Sequence, residues 1–228
     1  MIYYILFNQE LTATEAVIHF LITIFVFMIS LSIHEFAHAF SAYKMGDSSA
    51  KDAGRMTLNP FKHLNFTGFL FFMVLGVGWA NPVPINPLNF KRYKRGTRWV
   101  SISGILANFL LGLLASVICA ILIGTVGFGL AAMEYVYSIL FYFMMVNSFL
   151  ALFNLLPLPP LDGYNFMASF MKPDNKFLKF VERRGMQILL GVLVVSLLID
   201  LLLGIDILSL YLSLLYDYLF LPISFIGF

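Results

Sequence analysis

The sequence predicts an all-α polytopic membrane protein with about five spanning helices, a re-entrant or hairpin segment and a small β element. Two observations carry this prediction. Hydrophobic residues make up 61% of the 228 residues and charged residues only 11%, whereas soluble domains are about 25% charged. The apolar residues also form long charge-free runs at 16–33, 99–133 and 135–161, and a helix of roughly 20 apolar residues crosses a hydrocarbon core.

The first half of the chain is predicted to contain one spanning helix and a short apolar segment. The helix runs from about residue 14 to 43, and a polar loop or strand pair at 48–65 follows it. The apolar stretch at 66–80 contains three glycines and is borderline for a full crossing. The prolines of 81–87 exclude a helix there and favour extended or turn structure.

The second half is predicted to be mainly helical. Spanning helices are expected at about 99–125 and 131–156, followed by a polar, amphipathic stretch at 157–184. Two further apolar segments lie at about 185–203 and 207–225. We therefore expect one integral-membrane domain over 1–228, with its core at about 14–171 and a C-terminal helical pair at about 185–226.

The basic residues are informative by position, although the net charge is only +2. All 14 Lys and Arg residues lie in three segments, at 44–62, 91–98 and 172–184. Basic loops tend to stay in the cytoplasm. In so apolar a chain, a run such as 91–95 favours contact with an anionic lipid surface over nucleic acid binding, so no nucleic acid partner is expected.

The chemistry-bearing motif is HEFAH at 34–38, near the end of the first predicted helix. On a helix, His34 and His38 lie on one face, one turn apart, and can bind one zinc ion. Glu35 then lies beside the metal and can act as a general base towards a water molecule. A chance match to H-E-x-x-H in a chain of this length occurs about once in a hundred.

The membrane setting strengthens the interpretation of this motif. Ionisable residues inside spanning helices are costly and usually functional, and three occur here within five positions, after a charge-free run. The alternative interpretations are polar residues that line a helix interface, or a pigment or transport site.

A catalytic zinc usually has three protein ligands, so a third is expected elsewhere in the chain. His19 lies fifteen residues before His34, roughly 22 Å away along the helix, and is expected to be packed or interfacial. His63 lies in the polar loop and is expected to be structural or solvent-facing. Asp162 closes a proline-rich break that can expose a carboxylate at membrane depth. Taken alone, Asp162 before Gly163 is better interpreted as an ordinary turn pair. Alongside the two histidines of the first helix, the interpretation as a third zinc ligand is favoured instead.

At this point the chain strongly resembles the site-2 protease family of intramembrane metalloproteases. The resemblance covers nearly the whole chain and lies in five motifs: HEFAHA at 34–39, GRMTLNP at 54–60, GWANPVP at 78–84, GILAN at 104–108 and NLLPLPPLDG at 154–163. These are similar to the compact bacterial or archaeal branch without a PDZ domain. One departure is Ile105, which stands where the family often has proline.

The resemblance implies a function, a cofactor and partners. It implies one zinc ion held by His34, His38 and Asp162, with Glu35 as the catalytic base, and substrate contacts by Asn108 and Asn154. It also implies that the core at 14–171 is catalytic. The expected activity is hydrolysis of peptide bonds in or near transmembrane segments of single-span membrane proteins, in the cell membrane of a bacterium or archaeon.

Zinc binding makes a demand on topology, because His38 and Asp162 must lie at the same depth. An even number of crossings must separate them, and the helices predicted at 99–125 and 131–156 supply two. Residues 66–80 should therefore dip in and return, which puts all three basic segments and the active site on the cytoplasmic side.

Two other function classes remain open from the residues alone. A metal-ion or proton transporter could use the same intramembrane residues, although transporters often show repeated halves and no repeat is visible here. An inactive scaffold is disfavoured because metal binding alone does not need Glu35. The sequence does not identify the substrate or the oligomeric state.

Overall fold

The computed structural model describes residues 11–75, 78–127, 131–172, 174–205 and 210, and most of these residues are helical. The helices of this part are α1 Ala13–Met45, α2 Ser49–Asp52, α3 Pro60–His63, α4 Phe66–Leu75, α5 Tyr93–Val126, α6 Ala131–Leu155, α7 Asp162–Ala168 and α8 Lys176–Leu203. A 3-10 turn lies at Pro87–Asn89. The predicted all-α class is confirmed.

Four helices of the described part, α1, α5, α6 and α8, are long and apolar enough to cross a membrane. At 33 residues α1 is about 50 Å long, which exceeds a hydrocarbon core of roughly 30 Å. The spanning segment predicted at 207–225 lies outside the described residues, apart from residue 210. The predicted division into a core and a C-terminal pair therefore stays a prediction.

Helix α1 has clear start and stop signals. The Thr12 side chain accepts a hydrogen bond from the Glu15 amide, and the Glu15 carboxylate accepts one from the Thr12 amide at 2.8 Å, forming a capping box. The helix ends at Gly46, whose φ of 115° is a left-handed conformation that favours glycine. These signals extend the helix slightly beyond the predicted range of 14–43.

Helices α1, α5 and α6 pack together around an apolar core. One cluster joins α1, α4 and α6 through buried side chains of Val26, Phe27, Leu31, Phe72, Val146 and Leu150. The Phe27 and Phe72 rings stack with centroids 3.7 Å apart, so α4 rests directly against α1. This packing brings the middle of α5 and α6 against the second half of α1.

The described parts of the segment at 66–80 fit the prediction that it dips in and returns. Helix α4 has ten residues and is about 15 Å long, too short to cross. Leu64 and Ala80 form an antiparallel bridge, so the two ends of the segment lie side by side. A Cβ on Gly68 would collide with the Trp79 backbone, so only glycine permits this approach.

The small β element predicted from the sequence, a sheet that residues 53–60 and 81–87 could form, is wrong in the described residues. Pairing there is limited to the Leu64–Ala80 bridge, and Pro60–His63 is helical instead. The physical reason is that Pro82, Pro84 and Pro87 lack the amide donors that a strand ladder needs. Residues 81–87 instead form an irregular segment that lies beside the C-terminal end of α1.

A buried carboxylate ties this segment to α1. Asp47 is fully buried, and its two oxygens accept hydrogen bonds from the Ser49 amide and hydroxyl, the Asn86 amide and the Asn89 side chain. Burial acts to raise the pKa of Asp47, but these hydrogen bonds lower it below its ordinary value. We call this group the Asp47 clamp.

The basic segments meet at one end of the bundle. The Lys91 amide donates to the Met45 carbonyl at 2.9 Å, which joins the second basic segment to the end of α1. Arg98 donates to the Ser169 carbonyl at 3.3 Å and lies over the Phe170 ring, just before the third segment. The bundle is therefore electrostatically polarised along its axis.

Helix α8 begins nine residues before the predicted start at 185. The Asn175 side chain accepts hydrogen bonds from the amides of Phe177 and Leu178 and caps the helix. The polar residues between 176 and 184 therefore form the first turns of α8. Close contact of Gly185 with Pro159 joins α8 to the break that precedes α7.

Candidate metal centre

Two imidazoles on α1 form the first half of the site. His34 and His38 are buried and lie on the same helix face, with ring centroids 4.6 Å apart and planes at 82°. Their Nε2 atoms are 3.0 Å apart. The i, i+4 spacing of the sequence motif therefore produces two nitrogen atoms directed at the same point.

Asp162 completes the group from the far side of the chain. It is the first residue of α7, immediately after the proline-rich break that ends α6. Its Oδ2 lies 3.1 Å from His34 Nε2 and 3.0 Å from His38 Nε2. The structure thus brings together the three predicted ligands, and the common depth that the topology demanded is confirmed.

The second ring nitrogens show which atoms face the centre of the site. His34 Nδ1 lies 2.6 Å from Asn108 Oδ1, and His38 Nδ1 lies 2.7 Å from the Val100 carbonyl. An amide oxygen only accepts, so each Nδ1 carries the proton. Each Nε2 of a neutral ring then presents a lone pair towards the centre, as is usual for metal-ligating histidines.

The third lone pair comes from an ionised carboxylate. An ionised aspartate carboxylate accepts hydrogen bonds but has none to donate, so Asp162 Oδ2 also presents a lone pair to the two Nε2 atoms. Three acceptor atoms about 3 Å apart repel one another unless a cation lies between them. A proton can join only two of them, whereas a metal ion can bind all three.

The donor set fits zinc. Two imidazole nitrogens and one carboxylate oxygen are typical ligands of a catalytic zinc with an open fourth position. Tetrahedral ligands at about 2.0–2.1 Å from zinc are about 3.3 Å apart, close to the observed 3.0–3.1 Å. The Asp162 side chain is 19% exposed, compared with 7–8% for the histidines, so the site opens on the carboxylate side.

Gly104 on α5 makes room for the two imidazoles. A Cβ at this position would lie 2.6 Å from His34 Cε1 and 2.7 Å from His34 Nε2, and would also overlap His38 Nε2. The glycine therefore lets the α5 backbone approach the metal ligands directly. This contact explains why the GILAN motif at 104–108 contributes both a glycine and, one turn later, the asparagine behind His34.

Glu35 lies between the two histidines and is also buried. Its Oε2 accepts a hydrogen bond of 2.9 Å from the Val83 amide, while Oε1 has no hydrogen-bond partner in the described part of the chain. One carboxylate oxygen is thus held and the other is available, which suits a group that exchanges protons. The contact also couples the proline-rich segment to the site.

The other predicted site residues lie in different settings. Asn108 is fully buried behind His34, and Asn154 donates to the Leu150 carbonyl at 2.9 Å. Their substrate contacts stay predictions. His19 packs against Tyr142, away from the site, and His63 is fully buried with Nε2 2.8 Å from the Thr57 carbonyl, so both predicted non-ligand roles are confirmed in the described structure.

Sequence reasoning missed several groups around the ligands. The Val100 carbonyl and Val83 amide are backbone atoms, which leave no signal in a sequence. Asn147 is a buried amide next to Asn108, and its signal was present as a polar residue within the charge-free run at 135–161.

Comparison with known proteins agrees with this site. A model of "Peptidase family M50" matches residues 120–199. A Bacillus subtilis protein named "Putative zinc metalloprotease YwhC" is 40% identical over 151 residues, which cover 64% of this chain and 67% of that protein. The chain belongs to peptidase family M50. The resemblance to site-2 proteases is thereby confirmed, and the chain is a membrane-embedded zinc metalloprotease.

Two more distant relatives of this M50 member carry the name "Putative zinc metalloprotease Rip2". The Mycolicibacterium smegmatis protein is 29% identical over 163 residues and the Mycobacterium tuberculosis protein 28% identical over 166. Each match covers 69% of the chain and 60% of the relative's length. No solved structure gives a significant match. The transporter alternative finds no support in these comparisons.

Proposed function

We propose that this M50 protease cleaves single-span membrane proteins, in or near their transmembrane segments, with His34, His38 and Asp162 as zinc ligands and Glu35 as general base. The observation that carries the proposal is the convergence of three lone pairs, each about 3 Å from the others, inside a bundle of spanning helices. The free Glu35 Oε1 supplies the proton-transferring group beside them.

Each residue has a distinct task. His34, His38 and Asp162 would hold the zinc ion, which when bound would polarise the scissile carbonyl and lower the pKa of water towards about 7. Glu35 takes a proton from the attacking water and passes it to the leaving amine. The Val83 amide holds the Glu35 carboxylate in place during both transfers, and the Asn108 and Val100 oxygens hold the imidazoles in the tautomer that binds metal.

The proline-rich segment at 81–87 is proposed to hold the substrate. The Val83 carbonyl and the Ile85 amide have no hydrogen-bond partner in the described structure, and both adjoin the amide that contacts Glu35. An unwound substrate strand can pair with such free backbone groups. Asn154 is proposed to bind the substrate backbone through its Oδ1, because its hydrogen bond to the Leu150 carbonyl uses the amide nitrogen and leaves the oxygen available.

We also propose that the site faces the cytoplasmic side of a bacterial cell membrane. The basic segments adjoin the end of α1 that carries the metal ligands, and His38 is seven residues, about 10 Å, from that end. Basic loops favour the cytoplasmic face. A protease accessibility assay on proteins tagged in the basic segments, in intact cells and in inverted vesicles, tests this orientation. Protection of the basic segment at 91–98 in inverted vesicles would contradict it.

The decisive experiment compares Glu35→Gln with the wild type. Each purified protein is analysed for zinc content, and each is co-expressed with tagged single-span proteins whose cleavage is followed. We expect Glu35→Gln to keep one zinc per chain and to lose cleavage, because only the proton-transferring carboxylate is removed. Exposed Glu182 on α8 supplies the matched control, and Glu182→Gln should cleave normally.

Two further readouts complete this experiment. Asn154→Ala should raise the KM while zinc content stays unchanged, as should replacement of the prolines at 82, 84 and 87 by alanine. Wild-type protein without stoichiometric zinc, or a Glu35→Gln variant with full cleavage, would refute the proposed mechanism.

A further inference from the structure

A chain of buried amides lies behind the metal site, at the junction of α1, α5 and α6. Asn108 and Asn147 are both fully buried, and Asn108 Nδ2 donates to Asn147 Oδ1 at 2.7 Å. Asn147 Nδ2 donates to the Phe143 carbonyl and to Ser30 Oγ, each at 2.8 Å. Polar groups in an apolar bundle are costly unless paired, and each amide here is paired at both ends.

The direction of every bond in this chain follows from its innermost end. The Phe143 carbonyl can only accept, so the Asn147 amide must present its NH₂ group there and its oxygen to Asn108. Asn108 must then donate to Asn147, and its second contact, 3.2 Å from the Ser30 carbonyl, needs a donor as well. The Asn108 oxygen is therefore left facing His34.

The final step reaches the metal ligand. Asn108 Oδ1 lies 2.6 Å from His34 Nδ1 and requires a proton on that nitrogen. A neutral imidazole protonated at Nδ1 has its lone pair on Nε2, which is the atom that faces His38 and Asp162. The orientation of an amide on α6 is thus transmitted through an amide on α5 to the tautomer of a ligand on α1.

We propose that Asn147 is a positioning residue that fixes the zinc-binding tautomer of His34 by orienting the Asn108 amide. The inference rests on the proposed zinc site. Mutation of a group that hydrogen-bonds a metal ligand typically lowers metal affinity by about 10–100-fold. Asn147 acts one step further out, and the Ser30 carbonyl partly holds Asn108 in its absence, so a loss of about tenfold is expected.

The test measures zinc affinity of the purified full-length protein in detergent, by competition with a chromogenic chelator. Asn147→Leu, close to asparagine in size but without polar atoms, should raise the zinc Kd about tenfold, and Asn108→Leu should raise it more. The double variant should match Asn108→Leu within about twofold, because Asn147 acts through Asn108. A residue that only stabilises the bundle would instead add its effect.

The adjacent Ser148 provides the matched control. It is also buried on α6, and its hydroxyl donates to the Met144 carbonyl without contacting Asn108. Ser148→Ala should leave the zinc Kd within about twofold of the wild type. The cobalt(II) absorption spectrum gives a second readout, since Asn147→Leu should alter the ligand field while Ser148→Ala should not.

The possible outcomes separate this inference from the proposed function. Unchanged zinc affinity of Asn147→Leu, or additive losses in the double variant, would overturn the positioning role while leaving the zinc protease intact. Absence of zinc from the wild type would overturn the proposed function itself. If Asn147→Leu does not fold, Asn147→Ala in the same assay carries the expectation, with a rise in Kd of at least about threefold.

Discussion

Replacement of Gly104 by alanine should weaken metal binding about 100-fold while the bundle stays folded. The new methyl carbon would lie 2.6 Å from His34 Cε1, whereas an ordinary contact needs at least 3.4 Å. One side must therefore move by 3.4 − 2.6 = 0.8 Å. Because α5 packs closely against α1 and the imidazoles are held at Nδ1, the movement falls on the ligand nitrogens.

A displacement of this size matters because functional geometry tolerates about 0.5 Å. We expect zinc affinity to fall by about 100-fold, and kcat/KM to fall at least as much, since misplacement by about 1 Å can cost 100-fold. Overpacking should also lower the free energy of unfolding by about 1–3 kcal/mol. The loss of zinc should therefore greatly exceed the loss of stability.

The assay measures zinc per chain and chelator competition for the wild type, Gly104→Ala and Gly124→Ala. Gly124 lies on the same helix, and a Cβ there would meet nothing within 4 Å, so this control should keep wild-type zinc and activity. Thermal unfolding in detergent tests whether both variants are folded, as we expect. Stoichiometric zinc with wild-type affinity in Gly104→Ala would refute the close-approach argument.

Two predictions concern the proline-rich segment. Asp47→Asn should lower the apparent Tm at pH 7, because an amide cannot accept from all the donors of the Asp47 clamp. The pKa of Asp47 is lowered in the folded protein, so its stabilising effect is fully present above the ordinary carboxyl pKa near 4. That effect is lost as pH falls through the folded pKa. The Tm difference between the two proteins should therefore shrink below about pH 4, and a constant difference would count against the clamp. Val83→Pro should reduce kcat with zinc content unchanged, because it removes the amide that holds Glu35. The control Val83→Ala keeps the amide and should retain most of kcat. Equal kcat in both variants would show that this hydrogen bond is dispensable.

Much of the fold was predictable because hydrophobicity and helix signals are local. The bounds of α6 differ from the prediction by one residue, and the return of 66–80 followed from the need to place His38 and Asp162 at one depth. The errors occurred where polar sequence continues an apolar helix, as at the start of α8, and where prolines prevented the expected sheet. Such outcomes depend on capping and packing that a hydropathy pattern does not contain.

The sequence by itself determined the membrane class, the His34 and His38 pair and the family, because each resides in composition or in short fixed spacings. The tertiary structure decided the rest of the site. It brought Asp162 within 3.1 Å of residues more than 120 positions away, placed the Val83 amide on Glu35, and aligned two buried amides behind His34. These contacts join separate helices, and their geometry arises only when the helices pack, since no local pattern records which backbone or amide group will face a ligand.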